Sequence, residues 1–243
     1  MDGLILAAGM ATRLKPLTDD TPKSLLPVAG KPILQYIIDN LISHNIPRIV
    51  MVTGFLEEKI KDFLKTTYSQ TEFVFITNKD YSTTNNAYSL LLAGEEMKND
   101  FILLDSDILF NRDIISLILQ DREKIMLAVK RHHLAAEEIK VIMEEDHRIK
   151  KIGKEVPVSS AFGESVGIEY FPKEYVPALF QTLQKRIIKE NHINEFYEAS
   201  FQEMIDSGFH YYGVDIGELE AIEIDFKEDL EKAGKIVRRF SSE

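Results

Sequence analysis

Apolar positions follow two rhythms along the first hundred residues. Short runs at Gly3–Ala7, Arg48–Thr53 (RIVMVT), Glu72–Thr77 (EFVFIT) and Phe101–Leu104 predict strands. Between them the spacing changes. Ile33, Leu34, Ile37, Ile38, Leu41 and Ile42 recur at helical intervals after Pro32, a residue suited to a helix's first turn. Glu57–Leu64 reads as a short amphipathic helix and Asn86–Glu96 as another. Strand and helix in alternation imply right-handed crossovers and a mostly parallel sheet. Ligands of such sheets sit at the carboxyl ends of the strands.

The second half is less regular. Ile125–Val129, Glu138–Met143, Arg148–Ile152 and Gly167–Phe171 predict strands, and Tyr175–Glu190 and Phe196–Ser207 helices. Phe209–Val214 and Ala221–Ile224 are expected to close the sheet, with a last helix over Lys227–Ala233. Met51, Met97 and Met143 read as core filler. No repeat, low-complexity tract or linker divides the chain, so a single domain over residues 1–243 is expected.

Composition narrows the function. Hydrophobic residues make up 44% of the 243, enough for a sizeable core. The net charge of −11 argues against nucleic acid as partner, because such binders present a basic face. No apolar run approaches the roughly 20 residues of a membrane span, and the acid at Asp2 does not suit a signal peptide. The absence of cysteine excludes disulfides and thiolate metal sites and fits a cytoplasmic protein.

In so acidic a chain, basic residues gathered in one loop stand out. Ala8–Lys31 follows the first strand, shows no clear secondary structure, and holds Arg13, Lys15, Lys23 and Lys31. Its start, Leu6-Ala7-Ala8-Gly9-Met10-Ala11-Thr12-Arg13, supplies the small residues that let a phosphate approach backbone N–H groups. Arg13 and Lys23 supply charge. Neither common phosphate motif is present. The residues alone fit a phosphate cradle or a surface loop with solvated cations.

Two acids, Asp105 and Asp107, end an apolar strand, and residues two apart on a strand share a face. Asp225 follows the apolar run Ala221–Ile224. Magnesium takes one or two carboxylates, phosphates and water. Asp225 also suits the cap of the next helix. Asn78–Leu90 is dense in uncharged hydrogen-bonding groups, as a nucleobase site requires. It also suits a loop capping the next helix through Thr84 or Asn85. His132 and His133 read as surface histidines with no evident third metal ligand.

L-A-A-G-x-x-T-R-L over Leu6–Leu14 and P-K-S-L-L-P-V-x-G-K-P over Pro22–Pro32 resemble the signature of the sugar-phosphate and alcohol-phosphate nucleotidylyltransferases. The resemblance implies an α/β, Rossmann-like, mostly parallel mixed sheet flanked by helices, of the nucleotide-diphospho-sugar transferase type. It implies a nucleotide-binding half over residues 1–110 and an acceptor-binding half over 111–243. Leu6, Ala7, Ala8, Gly9 and Thr12 would bind the nucleotide, Arg13 the β/γ-phosphates, and Lys23 the region of the α-phosphate. Asp107 and Asp225 match the family's magnesium carboxylates. Many members carry Gly where this chain has Ala11, which narrows the approach of phosphate to backbone there.

The stretch Asn78–Leu90, with Thr84, Asn85 and Asn86 expected at the base, resembles the branch of bacterial phosphocholine, 2-aminoethylphosphonate and inositol-phosphate cytidylyltransferases. Gly163–Ile168 and Asn194–Glu198 continue the likeness. It implies CTP and a small phosphorylated acceptor as substrates, with Mg²⁺. A cationic acceptor needs carboxylates and aromatic faces. Glu164, Glu169, Tyr197, Glu198 and Glu223 are the candidates, with Tyr211 and Tyr212 beside them. Two alternatives remain at this stage: a sugar-1-phosphate nucleotidylyltransferase using UTP or dTTP, and a non-catalytic nucleotide-binding regulatory subunit. Oligomeric state is not legible.

Overall fold

The computed structural model describes residues 1–240, with side chains to residue 238. In chain order its first elements are β1 (Asp2–Ala7), the hairpin strands β2 (Pro27–Val28) and β3 (Lys31–Pro32), α1 (Ile33–Ser43), β4 (Arg48–Thr53), α2 (Glu57–Thr67), β5 (Glu72–Thr77) and α3 (Asn86–Leu92). Then come β6 (Phe101–Asp105), β7 (Ile108–Phe110), α4 (Asp113–Ile118), β8 (Ile125–Lys130), β9 (Lys140–Met143), β10 (Ile149–Gly153) and β11 (Gly163–Phe171). The chain continues through α5 (Val176–Gln184), α6 (Glu198–Asp206), β12 (Tyr211–Asp215), β13 (Ala221–Glu223) and α7 (Lys227–Phe240).

A nine-stranded mixed sheet forms the frame. β6, β1, β4 and β5 run parallel, as the alternation predicts. β11 is antiparallel to β6, β8 is antiparallel to β11, and β12 is parallel to β8. β9 and β10 extend the sheet from the early part of β11. Helices cover both faces, so β1 is buried along its length. Its alternate residues divide between two cores: Ile5 and Ala7 join the α1 side, Leu4 and Leu6 the α3 and α5 side.

The structure corrects several boundaries. α3 stops at Leu92 and passes into a 3₁₀ turn. α5 stops at Gln184 and continues as one π-helical turn, Lys185–Lys189. Glu138 and Ile139 precede β9 rather than belonging to it. Ile42 is 40% exposed, outside the buried stripe of α1. The main correction concerns β13, which does not close the main sheet. It pairs antiparallel with β7, a strand too short to show a period. Pairing gives each of these short strands partners for backbone groups that would otherwise be orphaned.

This small sheet positions the site. β7 begins just past the end of β6, and Glu223 sits opposite Ile108. The Ile224 N–H donates to the carbonyl of Asp107 at 3.1 Å. Behind β6 and β11 lies a block of rings: Phe171 stacks on Phe101 at 5.1 Å, and Phe201 packs on Phe171 at 5.4 Å and on Tyr197 at 5.0 Å. β11 reaches β6 with a bend at Gly167, whose φ is +68°. A side chain there would meet Ile108 Cδ1 at 2.6 Å and Asp105 Oδ2 at 2.9 Å.

Candidate active site

The loop after β1 opens into a cavity of about 1150 Å³ at the carboxyl ends of β1 and β6. That volume exceeds the roughly 300–1,000 Å³ of a typical single-ligand pocket and gives room for two substrates. Leu6, Ala7, Ala8, Gly9, Arg13 and Lys23 line it. Thr12 is exposed and does not. Ala11 adopts the left-handed conformation (φ 46°, ψ 53°), which is the reason a glycine suits that position. The turn is held by Thr18 Oγ1, which donates to the Ala11 carbonyl at 2.9 Å.

Lys23 lies in a 3₁₀ turn, with only 11% of its side chain exposed. Its Nζ is 2.8 Å from Asp107 Oδ2 and 2.7 Å from Asp225 Oδ1. Arg13 Nη1 is 2.5 Å from the other oxygen of Asp225. The two basic residues of the first loop thus converge on two acids far along the chain. Asp107 lies in the turn after β6, not on the strand, so Asp105 and Asp107 part company. Asp107, Glu223 and Asp225 offer oxygens within 4.8 Å of one another. Asp107 Oδ1 is buried with no hydrogen-bond partner. Oxygen-only donors with an unsatisfied carboxylate fit a hard divalent cation such as Mg²⁺. Glu223, expected at the acceptor, lines the cavity and stands within this group of oxygens.

Charge crowding shows in the titration of this group. Enclosure within the cleft, then repulsion from Asp107 and Asp225, pushes Glu223 up to about 9. Burial would raise Asp225 as well, but the charges of Lys23 and Arg13 outweigh it and hold its pKa below the ordinary value.

A second acidic group starts at the cavity wall with Asp105, which lines the cleft, and runs behind it to Glu169. Tyr197 OH donates to Asp105 Oδ2 at 3.0 Å. Asp105 and Glu169 both have pKa values well above normal, first from burial against the rings, then from neighbouring carboxylates. Glu169 and Tyr197 are fully buried and do not line the cavity, which corrects their expected place at an acceptor. Tyr211 is equally buried, and Tyr212 lies outside the cavity under Lys124 Nζ at 4.7 Å. Glu164 and Glu198 do line it.

Burial pushes Glu198 up to about 7, against a backbone hydrogen bond that lowers it. Between the ordinary carboxyl value of 4.5 and about 7, the folded protein keeps a proton that the unfolded chain has lost. Stability contributed by this group is therefore present below that window and falls as pH rises through it, by at most about 3 kcal/mol. Glu198→Gln is expected to unfold at higher urea than wild type at pH 8, with the gap narrowing at pH 5.

The polar segment serves the fold as well as the cavity. Asn85 Oδ1 caps α3 by accepting from the Asn86 N–H at 2.8 Å. Thr84 Oγ1 accepts from Asn78 Nδ2 at 3.1 Å, and Asn86 Oδ1 accepts from the Tyr197 N–H at 3.0 Å. All three of Thr84, Asn85 and Asn86 line the cavity, and so does Asn78. Sequence reasoning missed Lys130, Lys154 and Glu138, which also line it. Lys154 Nζ lies 4.1 Å from the centre of the Phe196 ring. Only the basic character of Lys154 near a strand end could have drawn attention. His132 is not an isolated surface histidine: its Nε2 is 2.8 Å from Glu164 and 3.9 Å from Glu138.

A basic loop at the end of β1, opposed by strand-end carboxylates in a two-substrate cleft, defines a nucleotide-handling α/β fold. The family model described as Nucleotidyl transferase matches residues 2–232, and the chain belongs to that family. It is 41% identical over 110 residues to choline-phosphate cytidylyltransferase of Streptococcus pneumoniae, covering 45% of this chain and 46% of that protein. It is 28% identical over 252 residues to CTP:phosphoglutamine cytidylyltransferase of Campylobacter jejuni, covering 95% and 98%. The structure of the CTP:phosphocholine cytidylyltransferase LicC from Streptococcus pneumoniae superposes with a TM-score of 0.80 and 26% identity, over 97% of this chain and 98% of that one. For the curated relatives that match most strongly, the matched span is 20% to 46% of their length. No helix among the described residues is long and apolar enough to cross a membrane.

Proposed function

We propose that the protein is a cytidylyltransferase: it joins CTP to a small, phosphocholine-like phosphorylated alcohol or phosphonate and releases pyrophosphate. The observation that carries this is Lys23, bridging Asp107 and Asp225 in a cavity of two-substrate size. An acceptor phosphate oxygen attacks the α-phosphorus of CTP. One P–O bond forms there as the bond to the β-phosphate oxygen breaks, in line, so no covalent enzyme intermediate is required. Catalysis then comes from positioning and electrostatics.

Lys23 neutralises charge at the α-phosphate and Arg13 steadies the departing pyrophosphate. Ala7–Gly9 offer backbone to the nucleotide. Asn78, Thr84, Asn85 and Asn86 offer neutral hydrogen-bonding groups to the base, and Lys154 offers a cation to the acceptor phosphate. Asp107 and Asp225, with Glu223, would hold Mg²⁺, which supplies Lewis-acid neutralisation of phosphate charge. Both carboxylates engage Lys23, so its amine is held beside the oxygens that would hold the metal.

A pyrophosphate-release screen tests the reading. It crosses four nucleoside triphosphates with phosphocholine, aminoethylphosphonate, inositol phosphate and glucose 1-phosphate. CTP with a non-sugar acceptor is expected to be the fastest pair. Glucose 1-phosphate with UTP or dTTP as the fastest pair would replace it with a sugar nucleotidylyltransferase. Nucleotide binding with no release from any pair would indicate a regulatory subunit.

A further inference from the structure

We propose that the cleft contains a subsite for a primary ammonium group, built from His132, Glu138 and Glu164. The inference rests on the transfer reading above and specifies its acceptor. His132 follows β8, Glu138 precedes β9, and Glu164 lies on β11, whose register sets it opposite Lys130 of β8 and Lys140 of β9. Strand pairing therefore gathers the three residues. One polar atom of each lies within 4.8 Å of the others, and all three residues line the cavity.

The hydrogen bonds fix what this cluster can accept. His132 Nδ1 faces the carbonyl oxygen of His133 at 3.1 Å, where only an N–H is favourable. In the neutral ring Nε2 is then an acceptor, and it points at Glu164 Oε2, 2.8 Å away. Glu138 Oε2 is anchored by the Ala135 N–H at 2.8 Å. Three acceptor atoms, two of them carboxylate oxygens, suit a compact cation with N–H donors. A primary ammonium brings three N–H donors and one charge.

A quaternary ammonium has no N–H and depends on aromatic faces. The rings lining the cleft are already engaged. Phe196 lies under Lys154, Phe226 is 5.7 Å from the Arg13 guanidinium, and Tyr81 packs on Phe55 at 6.2 Å. Phe162, beside Glu164 in the chain, is covered by Arg131 at 5.2 Å.

The test compares ethanolamine phosphate with phosphocholine, which differ by three methyl groups, in pyrophosphate release with CTP and Mg²⁺. Wild type is expected to favour the primary amine by at least about tenfold in kcat/KM, a difference of about 1.4 kcal/mol. Glu164→Gln and, separately, Glu138→Gln are each expected to raise KM for ethanolamine phosphate at least about tenfold, with a smaller change in kcat, and to erase the preference. Equal or better use of phosphocholine by wild type overturns the proposal. If no acceptor releases pyrophosphate, the transfer reading has failed. The subsite is then judged by calorimetric binding of ethanolamine phosphate to the CTP-loaded protein. Loss of binding in both variants supports it, and unchanged binding overturns it. Inhibition by micromolar Zn²⁺ that both variants relieve would make the cluster a metal site, and would also overturn it.

Discussion

Lys23→Ala is expected to lower turnover at least about 100-fold, the loss seen when one preorganised electrostatic group is removed from a reacting centre. Burial alone would lower the pKa of this lysine, but the charges of Asp107 and Asp225 outweigh it and hold the amine above the ordinary lysine range. Lys23 is therefore a fixed cation through the working pH range. Among the described residues it is also the cation that bridges Asp107 and Asp225, at 2.8 Å and 2.7 Å. Alanine leaves three neighbouring carboxylates facing the incoming triphosphate with less positive charge. Single-turnover kinetics with saturating CTP and acceptor check this. Near-normal turnover would remove Lys23 from the chemistry.

Asp225→Asn is expected to be comparably damaging, with a different signature. The substitution keeps the shape and removes the charge. It takes an anionic partner from Lys23 and Arg13 at once, and one carboxylate from the Asp107–Glu223–Asp225 group. Turnover should fall at least about 100-fold, and the Mg²⁺ concentration giving half-maximal rate should rise at least about tenfold. Chelation should abolish wild-type activity. A magnesium titration of both proteins is the measurement, and an unchanged half-maximal concentration would sink the ligand role of Asp225.

The parallel half of the fold was legible because its strands are long and its helices amphipathic. The predicted bounds of β4 and β5, Arg48–Thr53 and Glu72–Thr77, are those observed. β2, β3 and β7 have two or three residues and carry no period, so nothing in the sequence announces them. That β13 leaves the main sheet to pair with β7 is a tertiary choice. The first loop was legible from chemistry, since Arg13 and Lys23 stand out in an acidic chain and their motif is family-specific.

The acidic residues of the second half were not separable in the same way. Glu169 and Glu164 lie on one strand, yet one is sealed behind the aromatic block and the other faces the cleft. They are an odd number of positions apart, so the strand's alternation turns them to opposite faces. Tyr197 looked like part of an aromatic cage, but its hydroxyl is spent on Asp105. His132 gained meaning only when β8, β9 and β11 aligned it with Glu138 and Glu164.

The short pairing of β13 with β7 has a consequence for how the molecule is made. Lys23 waits 202 residues for Asp225. At 5–20 residues per second of synthesis, that is about 10–40 s during which the nucleotide loop exists without its second acid. The parallel core is complete long before, but the nascent chain has no finished reaction centre. Asp225 reaches Lys23 only after one three-residue strand clips onto another, so the proposed centre is assembled later than the parallel core that frames it.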